Sequence, residues 1–283
     1  MKEKTVLILG GTRFFGPALI RELRKDNSCI YRISCFHRGL HLSDFPFDDI
    51  RHIIGDRHNE SDLAAALKSE WDLIIDLSGT EDQMIRTALR MAQGRCGRYV
   101  FFSSSSVYSP QMPDPHQENE PLDQGTGEAY ALAKIHGEQI VQELFPHWTI
   151  IRPSKVYGKG NYYFSEHSFL NLLKQNSEVI LDRDPLLHFT YIDDLAAGAA
   201  ALMEKDGIYN VAGKQPARLS EFIRIIGSLH GISASFVFGQ PSDVPFTHLC
   251  DRTLDLSAAK KAAGFSPVVS LEEGLSRTFF NHP

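Results

Sequence analysis

The N-terminal part of the chain alternates between short apolar runs and amphipathic segments, and this alternation constrains the fold most strongly. The runs TVLIL, IYRISCF, RHIIG, WDLIID and RYVFFSS have the length of strands, whereas segments 15–25 and 82–94 have helical periodicity. Such runs are typical of parallel strands that crossover helices cover on both faces. The sequence therefore predicts an α/β fold with a doubly wound parallel sheet.

The pattern changes beyond residue 158. A helix predicted over 128–144 and the run WTIIRPSKVYG are followed by mostly helical segments that Gly/Pro turns connect. We expect a dinucleotide-binding domain formed by residues 1–158 and 189–213. Residues 159–188 and 214–283 are expected to form a smaller, mostly helical lobe that binds substrate.

Composition limits the classes of function. The chain has 283 residues, 42% of them hydrophobic, and a net charge of -6. An acidic chain has no general attraction to nucleic acid or anionic lipid. No apolar run approaches the ~20 residues that span a bilayer, and the N-terminus leads directly into a strand. We therefore expect a cytoplasmic protein with a small-molecule substrate and neither a nucleic-acid nor a membrane partner.

Cysteine and histidine spacing predicts no metal site. The four cysteines have no CxxC spacing and are expected to be buried apolar residues. His37 and His41 have i,i+4 spacing, but they fall in a predicted loop without a third ligand.

The stretch GGTRFFG lies between the first predicted strand and the first predicted helix. Glycines there permit a tight turn and bring the backbone close to a pyrophosphate held at the helix N-terminus. We predict that this turn binds a dinucleotide cofactor through Gly10, Gly11, Thr12, Arg13, Phe14, Phe15 and Gly16.

Two arginines bear on the choice of cofactor. Arg13 replaces the middle glycine of the turn, so its side chain must point away from the pyrophosphate, toward the adenosine end. The second strand ends in SCFHRG, where Arg38 replaces the acid that would hold a ribose 2′-hydroxyl. Two arginines without an acid favour NADP over NAD. The alternative is that both are solvated surface charges.

A second group of residues predicts proton transfer. Tyr130 and Lys134 are four residues apart on a predicted helix and share one face. Lowering a phenol pKa from ~10 to ~7 takes roughly 4 kcal/mol, which one ammonium ~4 Å away supplies at an effective dielectric of ~20. An oxidised nicotinamide ring would help. Lys134 would thus make Tyr130 an acid/base, while a serine after the fifth strand orients the reacting oxygen.

Together these motifs resemble the extended, or atypical, short-chain dehydrogenases/reductases, the superfamily of NAD-dependent nucleotide-sugar epimerases and dehydratases. The resemblance also runs through FHRG, GDR, VFFSSSSVY, IIRPSKVYG, FTYIDDLA, GIYNVAG and AAGFSPVVSLEEGL. It implies a Rossmann-type fold and an active-site serine at Ser104. It also places Asp56 near the adenine and Pro153 beside the nicotinamide. GGTRFFG with FHRG is most similar to a subgroup of bacterial epimerase-like and plastid stem-loop RNA-binding proteins.

The resemblance further implies a homodimer that forms through two helices, one following the fourth strand and one carrying Tyr130.

Departures from the family pattern narrow the range of possible reactions. Serines at 105–106 replace the Asp-Glu pair of the dehydratases, which disfavours dehydration. Lys155 and Leu187 replace the Asn and Arg that grip a nucleotide diphosphate in related epimerases. Lys155, Arg183 or His188 would have to substitute for that grip.

Three functions remain open on the sequence. The first is an NAD(P)-dependent epimerase-type enzyme that acts on a sugar or nucleotide-sugar hydroxyl through Ser104, Tyr130 and Lys134. The second is an NADPH-dependent reductase of a small carbonyl compound. The third is a non-catalytic cofactor-sensing or RNA-binding protein.

Overall fold

Seven parallel strands form the central sheet of the computed structural model, which describes residues 2–42, 45–123, 128–163, 166–176, 178–239, 241–244 and 250–280. The described strands are β1 (Lys2–Leu9), β2 (Cys29–His37), β3 (Arg51–Ile54), β4 (Trp71–Asp76), β5 (Cys96–Phe102), β6 (Trp148–Pro153), β7 (Lys155–Tyr157), β8 (Glu178–Leu181), β9 (Leu186–Tyr191), β10 (Gly207–Val211), β11 (Pro216–Arg218) and β12 (Ser235–Phe238). The central sheet has the order β10-β6-β5-β4-β1-β2-β3. This order reverses at β1, so the predicted doubly wound α/β fold of Rossmann type is confirmed.

Helices cover both faces of this sheet. The described helices are α1 (Phe15–Leu23), α2 (Glu60–Ala66), α3 (Asp82–Ala92), α4 (Ala129–Leu144), α5 (Glu166–Gln175), α6 (Ile192–Leu202), α7 (Leu219–Leu229), α8 (Ser257–Ala263) and α9 (Leu271–Phe279). In β1, Val6 and Ile8 pack in the core layer that contains α1 and α6, while Leu7 and Leu9 pack in the layer that contains α2, α3 and α4. Alternate side chains of a strand point to opposite faces, so burial on both faces requires an uninterrupted apolar run.

The run WTIIRPSKVYG divides between two sheets. β6 ends at Pro153, and β7 pairs with β9 in a three-stranded sheet of order β11-β9-β7. Pro153 has no N–H to continue the ladder. The N–H of Ser154 instead donates to the carbonyl of Val211 at 3.0 Å. The break directs the chain out of the central sheet toward the second part of the molecule.

The second part combines helices with small sheets. α5, α7 and α9 lie there with the β11-β9-β7 sheet and a parallel pair, β8 with β12, whereas α8 packs against α6 and β10 of the first part. β10 returns to the central sheet, within the predicted segment 189–213, whereas β9 crosses the predicted boundary at 188/189. The domain boundaries therefore stay a prediction. Among the described residues, no helix has the length and apolar character needed to cross a membrane.

Candidate functional site

The glycine-rich turn leaves β1 at the carboxyl edge of the sheet and enters α1. Gly10 and Gly11 have φ values of +96° and +95°, a region that side chains disfavour. A Cβ atom on Gly16 would lie 2.2 Å from the carbonyl oxygen of Gly11, so α1 packs directly against the turn. Only glycine fits these three positions, and the turn leaves room for a ligand to approach the backbone.

Phe14 adopts an unusual conformation at the start of α1. Its φ of 52° and ψ of -114° are rare for a residue with a side chain, and such a conformation costs on the order of 1–3 kcal/mol. No side chain caps the helix there. The first N–H groups of a helix carry partial positive charge and bind anions, which fits a pyrophosphate at this turn.

A cleft of about 460 Å³ opens beside the turn, within the size range of cofactor sites. All seven predicted residues of the turn line it, together with Arg38 and Asp56. Its other lining residues are Phe36, His37, Gly39, Leu40, His41, Gly55, Arg57, His58, Leu77, Ser78, Thr80, Glu81, Met84, Tyr162 and Tyr163. The residues that follow β1, β2, β3 and β4 therefore line one common cleft.

Arg13 lies against an aromatic side chain that sequence reasoning missed. Its guanidinium carbon is 3.9 Å from the centre of the Tyr162 ring, and Phe14 meets the same ring edge-on at 6.3 Å. Tyr162 stacks in turn on Tyr163, and both rings are exposed. These two tyrosines lie before α5, which begins at Glu166, in the loop of residues 158–163 that lies over the glycine turn.

Glu166 anchors this loop from below. Its Oε1 accepts hydrogen bonds from the N–H of Gly158 and the side-chain amide of Asn161, both at 3.2 Å. The carboxylate is 2% exposed. The loop that carries Tyr162 is therefore held at its base by a buried acid and at its tip by Arg13.

Arg38 and Asp56 lie close together on the other side of the cleft. The Asp56 carboxylate accepts the N–H of His58 at 2.9 Å and faces its Nδ1 at 3.0 Å. These hydrogen bonds, with a smaller contribution from the charge of Arg38, lower the pKa of Asp56. Arg38 and Asp56 thus contribute opposite charges to the same wall of the cleft.

The three predicted catalytic side chains come together at the end of β5. Lys134 is 3% exposed, and its Nζ donates to the carbonyl of Phe102 at 2.6 Å. The same Nζ lies 5.7 Å from the centre of the Tyr130 ring, which is 40% exposed. Ser104 lies near the Tyr130 phenol, and its hydroxyl donates to the Ser106 hydroxyl at 3.1 Å. The ring of Phe102 also packs on Phe15 of the turn, at 4.9 Å between centres, and so links the two predicted groups.

The charge states differ from the expectation for the Tyr130–Lys134 pair. Desolvation raises the pKa of the Tyr130 phenol, although the nearby Ser104 hydroxyl lowers it, so the lowering expected from Lys134 alone is not seen. Burial also lowers the pKa of Lys134 to about 8. Lys134, which is 3% exposed, has lost most of its water, and this disfavours its charged form. In the cofactor-free protein Tyr130 is therefore a protonated acid.

Candidate groups for an anion grip lie farther along the chain. Leu187 is buried in β9, and the adjacent His188 is 7% exposed with its Nδ1 accepting the N–H of Leu254 at 3.0 Å. Burial lowers the pKa of His188 to about 4, so it is neutral at pH 7. Arg183 is exposed, and burial lowers the pKa of Lys155 to about 8. Pro153 closes β6 and is not among the residues that line the cleft.

Comparison with known proteins places this geometry in a family context. The sequence profile of the NAD dependent epimerase/dehydratase family matches residues 6–212. The chloroplast stem-loop binding protein of 41 kDa b from Arabidopsis thaliana is 26% identical over 307 residues, which cover 98% of this chain and 79% of that protein.

Part of the chain is also similar in sequence to an enzyme. The UDP-glucuronate 4-epimerase of Thermodesulfobacterium geofontis is 30% identical over 197 residues, 64% of this chain and only 58% of that protein. A solved structure of the Bacillus cereus UDP-glucuronic acid 4-epimerase, in complex with UDP-glucuronic acid and NAD, superposes with a TM-score of 0.78 over 97% of both chains at 21% identity. This likeness confirms the fold.

His37, in the wall of the cleft, has both ring nitrogens engaged. Its Nδ1 accepts the N–H of Gly39 at 3.0 Å, and its Nε2 lies 2.8 Å from Nδ1 of His52. A second proton on His37 would have to displace the Gly39 N–H. Burial and the neighbouring His52 lower the pKa of His37 to about 4.

We expect His37 to make the folded protein sensitive to acid. The folded pKa lies below the unfolded value of about 6.5, so the contribution is full above that pH and is lost as the pH falls toward 4. At pH 5 the loss is about 2 kcal/mol. Urea unfolding of wild type and His37→Asn at pH 7 and pH 5 measures it. A pH dependence in His37→Asn that equals that of the wild type would contradict the assignment.

Proposed function

Because the chain belongs to the NAD-dependent epimerase/dehydratase family, we propose that it is an NAD(P)-dependent epimerase-type enzyme acting on a hydroxyl of a sugar or nucleotide sugar. The observation that carries this proposal is the placement of Tyr130 and Lys134 one helical turn apart at the end of β5, whose Phe102 packs on Phe15 of the glycine turn. The name of the UDP-glucuronate 4-epimerase relative supports the substrate class. Side chains at the glycine positions of the turn would fill the space beside the backbone. Because these positions are glycines, the turn can accept the pyrophosphate of a dinucleotide.

The chain's own residues would divide the chemistry as follows. A bound nicotinamide would supply a hydride acceptor and donor. Tyr130, as the phenolate, would take the proton of the substrate hydroxyl, and Ser104 would donate to the same oxygen and hold it near the phenol. Lys134 supplies the positive charge that stabilises the phenolate, complementing the positive charge of an oxidised nicotinamide. In the reverse step Tyr130 returns the proton to the carbonyl oxygen.

A reductase of a small carbonyl compound is the second candidate. Leu187 and the neutral His188 put no cation where related epimerases hold a diphosphate, which favours a smaller substrate. Arg13 and Arg38 in the cleft wall favour NADPH, the usual electron source for a reductase.

The similarity to the stem-loop binding protein favours the RNA-binding alternative, whereas the net charge of -6 and the Ser104–Tyr130–Lys134 group argue against it. A homodimer stays a prediction.

Retention of the cofactor distinguishes the first two functions. An epimerase regenerates its cofactor in each cycle, so we expect purified protein to release stoichiometric NAD or NADP when it is denatured, as identified by mass spectrometry. Protein that is empty and binds NADPH reversibly in a fluorescence titration would instead indicate the reductase. Failure to bind either cofactor would overturn both enzyme functions.

Tyr130→Phe is expected to abolish turnover while leaving the fold and the cofactor affinity nearly unchanged, because only the proton-transfer group is removed. Turnover is followed as conversion of a panel of nucleotide sugars to their epimers by chromatography, and as the absorbance of reduced nicotinamide with small carbonyl compounds. Removal of a general acid/base typically costs about 10²–10⁴-fold in rate. The matched control is Tyr31→Phe, at a tyrosine outside the cleft, and retained turnover in Tyr130→Phe would contradict the role of the phenol.

Arg13→Ala and Arg38→Ala test the proposed preference for NADP. A lost charge-assisted hydrogen bond is worth about 1.5–3 kcal/mol, so we expect NADPH affinity to fall by roughly 10- to 100-fold and NADH affinity to change much less. Arg51→Ala, at an exposed arginine outside the cleft, is the matched control. Equal losses for both cofactors would mean that the two arginines do not recognise the 2′-phosphate.

A further inference from the structure

A buried ion pair lies between the cofactor cleft and the proton-transfer group. Asp76, the last residue of β4, is 0% exposed and accepts two hydrogen bonds from the Arg57 guanidinium, at 2.7 and 2.8 Å. The Tyr99 hydroxyl donates a third at 3.0 Å. Two strands, β1 and β2, lie between β3 and β4 in the sheet order, so Arg57 from the loop after β3 reaches across their ends to meet this acid.

Sheet register places the Asp76 carboxylate on the same face as Lys134. Asp76 is the β-partner of Phe101, and Lys134 Nζ lies 5.0 Å from the centre of the Phe101 ring. Tyr99, two residues earlier on β5, points to the same face and reaches Asp76. Asp76 and Lys134 therefore approach one another under α4, with the Phe101 position between them.

The groups that face Lys134 form a short chain of alternating charge. Asp76 comes from β4, Arg57 from the loop after β3, and Glu138 from the next turn of α4, with the Tyr130 ring on the outer side. Glu138 is itself neutralised by two hydrogen bonds from Arg152, at 2.8 and 2.6 Å. Of these charges Asp76 acts most strongly on Lys134 and raises its pKa, against the larger effect of burial, whereas Arg57 lowers it.

The pair also touches the floor of the cofactor cleft. Arg57 lines the cleft, and its Nη1 donates to the Ser78 hydroxyl at 2.8 Å. That hydroxyl donates to the carbonyl of Leu9 at 3.1 Å, immediately before the glycine turn. The Arg57 Nε has no hydrogen-bond partner within the described part of the chain, although it is buried. The position of Arg57 therefore favours its ion pair with Asp76, although one of its own N–H groups is left without a hydrogen bond.

We propose that Asp76 is a positioning residue for proton transfer: clamped by Arg57, it keeps the ammonium of Lys134 charged beside Tyr130, and Arg57 limits how strongly it does so. The inference rests on the proposed function, in which Lys134 supports the Tyr130 phenolate. A neutral Lys134 would leave that phenolate without its charge partner. Asp76 therefore acts through Lys134 and does not touch the reacting atoms.

The two halves of the pair give opposite predictions for the pKa of Lys134. Asp76→Asn removes an attraction and leaves Arg57, so the pKa should fall by roughly one unit or more. Arg57→Gln removes a repulsion and releases Asp76, so the pKa should rise. The double variant should lie between the two. The measurement is a pH titration of ¹³Cε-lysine NMR signals in the folded, cofactor-free protein, with Lys134→Arg assigning the signal.

Glu138→Gln is the matched control, since Glu138 is an equally buried carboxylate with a bidentate arginine and acts less strongly on Lys134. Its shift should be smaller than that of Asp76→Asn. Shifts of the same sign in both single variants, no shift in either, or an equal shift in Glu138→Gln would overturn the proposal. If Asp76→Asn does not fold, the sign in Arg57→Gln decides alone.

The titration needs no substrate, so it separates this inference from the proposed function. Retained turnover in Tyr130→Phe together with opposite shifts in the two pair variants would refute the proposed function but leave the control of Lys134 by Asp76 intact. Loss of turnover in Tyr130→Phe without those shifts would support the proposed function and refute the control of Lys134 by Asp76.

Discussion

Burial of the parallel sheet on both faces is the constraint on which the rest of the structure depends. Helices of two layers cover the apolar side chains of β1 on either side, so neither face of the sheet is available for a polar site. In a parallel sheet all carboxyl ends meet at one edge, and that edge receives the glycine turn, Asp56, Asp76 and Ser104. Cofactor cleft and proton-transfer group are neighbours for this reason.

Charges that the sheet buries at this edge are paired. Arg57 with Asp76 and Arg152 with Glu138 are bidentate pairs whose side chains are almost fully shielded from water. Desolvation of such pairs offsets most of their attraction, so they are weak sources of stability. Their placement around Lys134 gives them a different use. They adjust the charge of an amine that burial alone would tend to neutralise.

Some parts of the site were predictable from local sequence and others were not. The turn at 10–16 was predictable, since glycine positions between a strand and a helix have a direct steric meaning. So was the shared face of Tyr130 and Lys134, which follows from helical periodicity. Tyr162 was not predictable, because its contact with Arg13 joins residues far apart in the chain. The charge state of Tyr130 also escaped prediction, since it depends on how much water the surrounding protein removes.

Local sequence by itself determined the order of strands and helices in the first 144 residues, the sharp turn after β1 and the spacing of Tyr130 from Lys134. Each of these depends on backbone sterics or on the period of one element. Local sequence did not reveal the small strands beyond residue 158, such as β8, β9 and β12. Only the tertiary structure decided that Asp56 lies beside Arg38, that Arg57 reaches Asp76, and that Tyr162 covers Arg13. These contacts join loops from different strands, and their strength depends on burial and on distances that no single element sets.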